Sequence, residues 1–242
     1  RPEIHKRDRV RRSCNKSPSS HNTSRPENLC ALKIRGPTEL NHFLSQSLAW
    51  RKREIANLNL LIKSLNRPHE ETLLRRCAVL FLYAHFEGFT QEAAEAYIDL
   101  VSRQGLAYNR LKTNFVAIGA RSSIRDAANT NLMRLHQGVV EFITYNQGNT
   151  ARFSSVKSID TESNVNAKVF ANILDTVGIQ IDDYFSVRML LLDGGLLAKR
   201  NAIAHGDRIE VNHEDYVQLH RLVIELLDHF RDCLENAAVL KA

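Results

Sequence analysis

Arg200, Asn201 and His205 lie within six residues of one another in the segment Lys199–Gly206, whose sequence is KRNAIAHG. Arginine offers a permanent planar charge for a phosphate, and histidine can take and give a proton near neutral pH. RNA supplies its own nucleophile, the 2′-hydroxyl, so its cleavage needs only a base, an acid and positive charge at the phosphate. Residues of these types can therefore cleave RNA without a metal.

The spacing of Arg200 and His205 needs a particular local structure. Five residues on a regular helix advance by about 140°, which would point the two side chains to different faces. Gly206 follows the histidine, and glycine ends many helices. We expect the helix to end near His205, so that its last turn loosens and the imidazole approaches the guanidinium. Asn201 then binds phosphate or ribose or holds the backbone. Alternatively, Asn201 is only a polar residue on a helix face.

A structural role for the arginine and the histidine is the competing interpretation of this segment. Arg200 would then be a solvated arginine. His205 would be a histidine at a helix C-terminus, where the helix dipole favours positive charge.

The string RNAIAHG resembles the R-x4-6-H signature of HEPN domains. Three further segments are similar to a bacterial subgroup of HEPN-like nucleases, and the resemblance spans roughly residues 39–242. These segments are Leu48–Glu54, Leu80–Phe89 and Ser163–Asn166. The resemblance implies a helical bundle with long antiparallel helices. It also implies a homodimer in which two protomers pair around the motif, so that each composite site holds two copies of the arginine and the histidine.

By the same resemblance the chain is expected to be an endoribonuclease with Arg200 and His205 as catalytic residues, RNA as its substrate and an antitoxin or other regulatory protein as a possible partner. It would serve as a toxin or an anti-phage defence component. Several relatives are instead non-catalytic modules that bind a protein or a nucleotide, and this alternative stays open. A third possibility is acceptance of a transferred nucleotide by Tyr184 or Tyr216.

Two polar residues on a very apolar helix, His85 and Glu87, also need a physical reason, because burying an unpaired polar group is costly. We expect Glu87 to support the site, either by orienting His205 or as the counter-ion of Arg200. The alternative is a buried pair with another arginine. His85 is expected to be a core histidine with satisfied polar atoms. Trp50 is expected to anchor a helix seam, with its basic neighbours Arg51–Arg53 in solvent, in preference to stacking on a base.

The composition excludes several classes of protein. Of the 242 residues 43% are hydrophobic, enough for a large core, but no run of about 18 apolar residues predicts a membrane span. The four cysteines form no CxxC pair, which argues against a zinc site or a disulfide scaffold and favours a reducing cytoplasm. Cys77 and Cys233 are expected to be core cysteines. No phosphate-binding loop, dinucleotide fingerprint or HExxH motif occurs, so no metal or cofactor is predicted.

The net charge of +6 is unevenly distributed. Residues 1–35 hold ten basic and three acidic residues, whereas residues 36–242 hold 23 basic and 24 acidic ones. Residues 1–37 show no hydrophobic period and predict a disordered basic tail before a domain at 38–242. The tail is a solvated or non-native leader, or a contact for nucleic acid or lipid, and it lacks the apolar segment of a secretory signal. Phosphate binding by the domain therefore requires a local basic cluster.

Helical periodicity dominates the rest of the chain and predicts an all-α bundle. In residues 138–162 the pattern is irregular, with Val139–Tyr145 a possible strand and Gln147–Thr150 a turn. The predicted helices are one from Glu39 that ends at Asn66–Pro68, then Glu70–Ser102, Arg110–Ile118, Ser122–Leu135, a helix capped by Asn164 and ending at Val177, Asp183–Leu192 with a continuation from Leu196 toward His205 after a break at Asp193–Gly195, and His213–Val239.

Overall fold

The long second helix of the protein is the centre of an all-helical bundle, seen in a computed structural model that describes residues 34–155, 158–162 and 164–240. No β-strand occurs in these residues, and the only bridge pairs Ala107 with Thr150. The predicted all-α class is confirmed, while most of the predicted tail lies outside the described residues. The helices are α1 (Pro37–Ser64), α2 (Pro68–Arg103), α3 (Thr113–Ala128), α4 (Met133–Tyr145), α5 (Ala167–Val177), α6 (Asp183–Leu191), α7 (Ala198–Ala204) and α8 (His213–Val239).

The first two helices form a long antiparallel pair, and prolines mark where each begins. Pro37 and Pro68 occupy first-turn positions, where the missing N–H costs no hydrogen bond. Leu65 is extended after α1 ends, and Gly105 adopts φ +66° after α2. Because α2 is apolar on most of its circumference, α1, α5, α7 and α8 all pack against it.

Phe170 of α5 joins four helices at the middle of the core. Its ring centroid lies 5.4 Å from that of Phe86 on α2, 5.6 Å from Phe185 on α6 and 5.7 Å from Phe230 on α8, each in an edge-to-face arrangement. All four rings are buried, and edge-to-face packing adds to the hydrophobic stabilisation. On α8, Tyr216, Leu219, Val223, Leu226 and Phe230 are buried at steps of three and four residues and form one apolar seam.

Residues 111–145 differ from the prediction. They form the two helices α3 and α4, with the break at 129–132 and not at 119–121, and Val139–Tyr145 is helix and not strand. On α4, Leu135, Val139 and Phe142 are half-buried at helical spacing, and Phe142 packs edge-on against Tyr108 at 5.0 Å. This tertiary contact overrides the weak β-propensity of the segment. Among the described residues, the irregular region is therefore limited to 146–155, 158–162 and 164–166.

The helix before the glycine at 178 starts two residues later than predicted. Asn166, and not Asn164, is the cap of α5, because its side chain accepts a hydrogen bond from the Val169 N–H at 2.8 Å. The predicted end is confirmed, since Gly178 adopts φ +72°.

The predicted break at Asp193–Gly195 is instead a π-helical turn. Residues Leu192–Leu197 join α6 to α7 without leaving the helix. Gly195 lies against α8, where an added Cβ would be 3.2 Å from a methyl group of Leu219. The Asp193 carboxylate accepts a hydrogen bond from the Ala167 N–H at 2.7 Å and so satisfies the first turn of α5.

The cysteines only partly follow the prediction. Cys77 is exposed on α2, so its assignment to the core is wrong, and Cys233 is half-buried. Burial, together with Asp182 and Asp232, raises the pKa of the Cys233 thiol to about 11. Cys14 and Cys30 lie outside the described residues. Across the part of the chain that the structure describes, no helix is long and apolar enough to cross a membrane.

Candidate active site

The motif helix α7 ends at a left-handed glycine, as the sequence predicts. Gly206 adopts φ +86°, its N–H donates to the carbonyl of Ile203 at 3.1 Å, and the Asp207 N–H donates to the carbonyl of Ala202 at 2.9 Å. This pair of bonds ends many helices at glycine. His205 is the last residue before the glycine, and its side chain is exposed.

Two arginines of α2 hold the loop that follows the motif. Arg76 Nη2 donates to the carbonyl of Asp207 at 2.8 Å, and Arg75 Nε donates to the carbonyl of Val211 at 2.7 Å. Arg75 is buried and also pairs with Glu71. The backbone on the C-terminal side of His205 is therefore tied to the central helix.

Arg200 extends from α7 toward α2. Its Nη1 donates to the side-chain oxygen of Asn201 at 2.8 Å, and its guanidinium carbon lies 4.5 Å from the centroid of the Tyr83 ring. No carboxylate among the described residues forms an ion pair with it. The guanidinium therefore keeps N–H donors that a phosphate can use.

Tyr83 is the support for this arginine, and the sequence reasoning did not identify it. Only 2% of it is exposed. Its O–H donates to Asn164 Oδ1 at 3.0 Å and accepts from the Val165 N–H at 2.7 Å. Burial, and secondarily the charge of Glu87, raises the pKa of Tyr83 to about 12. The ring is thus a fixed neutral platform for a cation.

A weak signal for Tyr83 was present in the sequence. It precedes Glu87 by four residues, so both polar groups lie on one face of an apolar helix.

The roles expected for Glu87 and His205 remain predictions. Glu87 is half-buried one turn from Tyr83, and within the described residues it forms no ion pair with Arg200 and no hydrogen bond with His205. Its charge acts on Tyr83, which lies against the arginine. No hydrogen bond joins Arg200 to His205 in one protomer, so a composite site would need a second chain.

His85 lies on the side of α2 that faces α1, among aromatic rings. It is buried between Trp50 and Phe81, whose ring centroids lie 5.4 and 4.2 Å away. Its Nε2 lies 3.3 Å from Glu54 Oε2 without a well-aligned hydrogen bond. It is therefore a core histidine, as expected, but one whose polar atom is incompletely satisfied.

The expectation for Trp50 and its basic neighbours is wrong for Trp50 and Arg51, whereas Arg53 is exposed as expected. Trp50 is 44% exposed, whereas Arg51 is 6% exposed and pairs with Glu92 at 2.7 Å. The guanidinium packs against α2 beside Gly88, where an added Cβ would be 3.6 Å from Arg51 Nη2, an ordinary contact distance. The aliphatic stem and the ion pair make burial of this arginine tolerable.

The burial of His85 makes the free energy of unfolding depend on pH. Burial lowers the pKa of His85 below its ordinary value of 6.5, Glu54 partly offsets this, and Arg51 adds to it. The unfolded chain then binds the proton more readily, so stability is complete above about pH 6.5 and falls as the pH drops from there toward the folded pKa. We expect His85→Phe to flatten this fall, measured by urea unfolding at pH 7.5, 6.5 and 5.5.

His220 provides the comparison for that experiment, because burial and Lys63 lower its pKa as well. Removing both histidines should flatten the profile more than removing either one. An unchanged pH profile in His85→Phe would contradict the assignment.

The two tyrosines considered as nucleotide acceptors differ in accessibility. Tyr216 is buried and its O–H donates to Asn59. Tyr184 is half-buried, and its O–H lies 3.4 Å from the carbonyl of Glu225.

A family model described as RiboL-PSP-HEPN matches residues 46–236, from α1 to α8. The chain belongs to this HEPN family. No curated protein and no solved structure matches it. The predicted resemblance is confirmed, and the HEPN match includes the motif helix and the α2 residues that support it. Of the other resembling segments, Leu48–Glu54 lies in α1, Leu80–Phe89 lies in α2, and Asn164–Asn166 precedes α5, while Ser163 lies outside the described residues.

Proposed function

We propose that this HEPN domain is a metal-independent endoribonuclease with Arg200 and His205 as its catalytic residues. The observation that carries the proposal is the state of Arg200: its guanidinium rests on Tyr83 with no carboxylate partner among the described residues. Five residues later, a glycine-terminated helix presents His205 to solvent. A structural arginine in a helical core is normally paired, as Arg51 is with Glu92.

In the proposed reaction, the ribose 2′-oxygen attacks the adjacent phosphorus while a histidine takes its proton. The bond from phosphorus to the 5′-oxygen then breaks, and that oxygen receives a proton from a second group. Arg200 donates hydrogen bonds to the phosphate oxygens as negative charge builds on them. Asn201, which accepts a hydrogen bond from Arg200, assists by holding the guanidinium. The products carry a 2′,3′-cyclic phosphate and a 5′-hydroxyl.

A second protomer would supply the second proton-transfer group. One protomer offers a single His205, with no hydrogen bond to its own Arg200. Exposed aliphatic side chains on α6 and α8 support a homodimer: Val187, Leu191 and Val217 line a groove of about 590 Å³. Apolar surface of this kind is typical of protein interfaces.

This chemistry fits the biological role of a cytoplasmic toxin or anti-phage defence component. An antitoxin or another regulatory protein would restrain it. Unrestrained cleavage of RNA would harm the host. The second candidate function is a non-catalytic module that binds a protein partner or a nucleotide, and the same exposed groove beside α8 favours it.

Mapping of RNA ends tests the proposal. Purified protein is incubated with total RNA, with and without EDTA, and the fragment ends are mapped. We expect cleavage that is unaffected by EDTA and fragments with 2′,3′-cyclic phosphate and 5′-hydroxyl ends. Cleavage that stops when EDTA is added, or fragments with 5′-phosphates, would contradict the mechanism. Absence of cleavage by a dimeric sample would favour the non-catalytic module.

A further inference from the structure

A strongly basic surface lies outside the motif, on the hairpin formed by α3 and α4 and its flanking residues 107–152, which we call the basic arm. The arm holds six basic and two acidic residues, whereas the rest of residues 36–242 holds 17 basic and 22 acidic ones. All six basic side chains are exposed: Arg110, Lys112, Arg121, Arg125, Arg134 and Arg152. The domain is nearly neutral in total, but it has the local basic cluster that phosphate binding requires.

The cations of the arm are largely unpaired. Elsewhere many arginines bind carboxylates, as Arg188 does with Glu225 and Arg103 with Asp99, both at 2.7 Å. On the described part of the arm the only ion pair is Arg125 with Asp126, at 3.9 Å and in solvent. Such an exposed pair neutralises little. Apart from this weak pair, the arm presents positive charge that no carboxylate among the described residues neutralises.

The basic residues extend along the hairpin from its base. Arg121 and Arg125 lie one turn apart, on one face of α3. At the base, the Asn109 N–H donates to the carbonyl of Gln147 at 2.8 Å, which brings the chain before α3 beside the chain after α4. Arg110 and Arg152 therefore lie at the same end. A recess of about 470 Å³ opens there, lined by Tyr108, Phe142, Asn146, Asn149, Thr150 and Arg152.

Helix α5 connects the arm to the candidate active site. The side chain of Asn114, at the start of α3, donates to the carbonyl of Thr176 at the end of α5, at 2.9 Å. The other end of α5 follows Asn164 and Val165, which bind the hydroxyl of Tyr83 beneath Arg200. A helix of 11 residues spans about 16 Å. One RNA strand can therefore contact the arm and reach the active site.

We propose that the basic arm binds the phosphate backbone of the RNA substrate. That the ligand is RNA rests on the proposed function. The position of this binding surface, by contrast, is inferred from the charges of the arm and not from the motif. Contact between the arms of two copies of the chain is unfavourable, because two arms with a net charge of +4 each repel one another. Met133, Val140 and Ile143 are exposed on α4, and apolar side chains beside basic ones could also contact an anionic membrane surface. The test therefore includes lipid vesicles.

The test measures binding of the full chain to a single-stranded RNA in which every ribose is 2′-O-methylated. Such an RNA lacks the attacking hydroxyl, so binding is separated from cleavage. Removing three arm charges, with Arg121→Gln, Arg125→Gln and Arg134→Gln together, should weaken binding at least tenfold at low salt. It should also reduce the slope of log K against log salt by about 2. The matched control also removes three positive charges, but from α1 and the loop after it, with Arg53→Gln, Lys63→Gln and Arg67→Gln together.

We expect the control triple variant to bind RNA nearly as tightly as the unmodified chain. Equal weakening in both triple variants would show a general field and overturn the proposal, as would tight binding by the arm variant. Preferential binding of the unmodified chain to phosphatidylserine vesicles, lost in the arm variant while RNA binding persists, would assign the arm to lipid. Failure of the proposed catalysis would appear separately, as cleavage that survives changes at the motif.

Discussion

His205→Ala is expected to reduce RNA cleavage by about 10²- to 10⁴-fold, because proton transfer to or from the reacting ribose and phosphate oxygens would be lost. Arg200→Ala is expected to cost about 10²- to 10³-fold, the usual effect of losing one preorganised donor at developing negative charge. Initial rates on a fluorescent RNA substrate, with EDTA present, measure both effects. Arg200→Lys should restore little, since an ammonium group cannot form the planar two-donor contact.

Both variants should leave the protein folded, because His205 is exposed and Arg200 is half-buried without an ion pair among the described residues. Thermal unfolding and the oligomeric state of the purified samples check this. His69→Ala and Arg208→Ala are matched controls: both residues are exposed, and neither belongs to the motif. Full cleavage by either motif variant would remove that residue from the mechanism.

Tyr83→Leu is expected to lower cleavage by about tenfold to a hundredfold, although Tyr83 does not contact RNA in the proposed mechanism. Without the ring, the guanidinium of Arg200 loses its platform and samples other positions, and small displacements of a catalytic group have effects of this size. Tyr83→Phe keeps the ring under Arg200 and should retain most of the activity. It leaves the buried Val165 N–H without its acceptor, which should lower stability by about 1–3 kcal/mol.

The two tyrosine variants together separate positioning from stability. The phenylalanine variant is expected to unfold more easily yet cleave well, whereas the leucine variant is expected to lose kcat even where it is fully folded. The Nε–H resonance of Arg200 in NMR spectra reports the ring beneath the guanidinium and should shift in Tyr83→Leu but much less in Tyr83→Phe. Normal kcat in Tyr83→Leu, with the arginine resonance displaced, would show that the platform has no role in cleavage.

Helix boundaries that depend on one residue's backbone preference could be predicted from the sequence. Pro68 separates α1 from α2, Gly178 ends α5, and Gly206 ends α7. The long periodic segments of α2 and α8 were predicted within a residue or two of their observed ends. These features follow from steric limits and hydrophobic spacing within a few residues, which require no knowledge of distant partners.

The sequence-based predictions were wrong where contacts between residues distant in the chain outweigh the conformational preference of a local segment. The segment at Val139–Tyr145 is helical because Phe142 packs on Tyr108. Asn164 was expected to cap a helix, but its side chain accepts a hydrogen bond from Tyr83. Arg51 is buried and paired with Glu92, which lies on the neighbouring helix 41 positions along the chain.

By itself, the sequence determined the helical class, the RNAIAHG motif and the turn that ends its helix, because each depends on residues that are neighbours along the chain. Only the tertiary structure decided that Arg200 rests on Tyr83 and that the unpaired cations are concentrated on one hairpin. These arrangements arise when α2, α5 and α7 pack around a shared apolar core. Burial in that core fixes which polar groups meet, and no spacing within one helix specifies it.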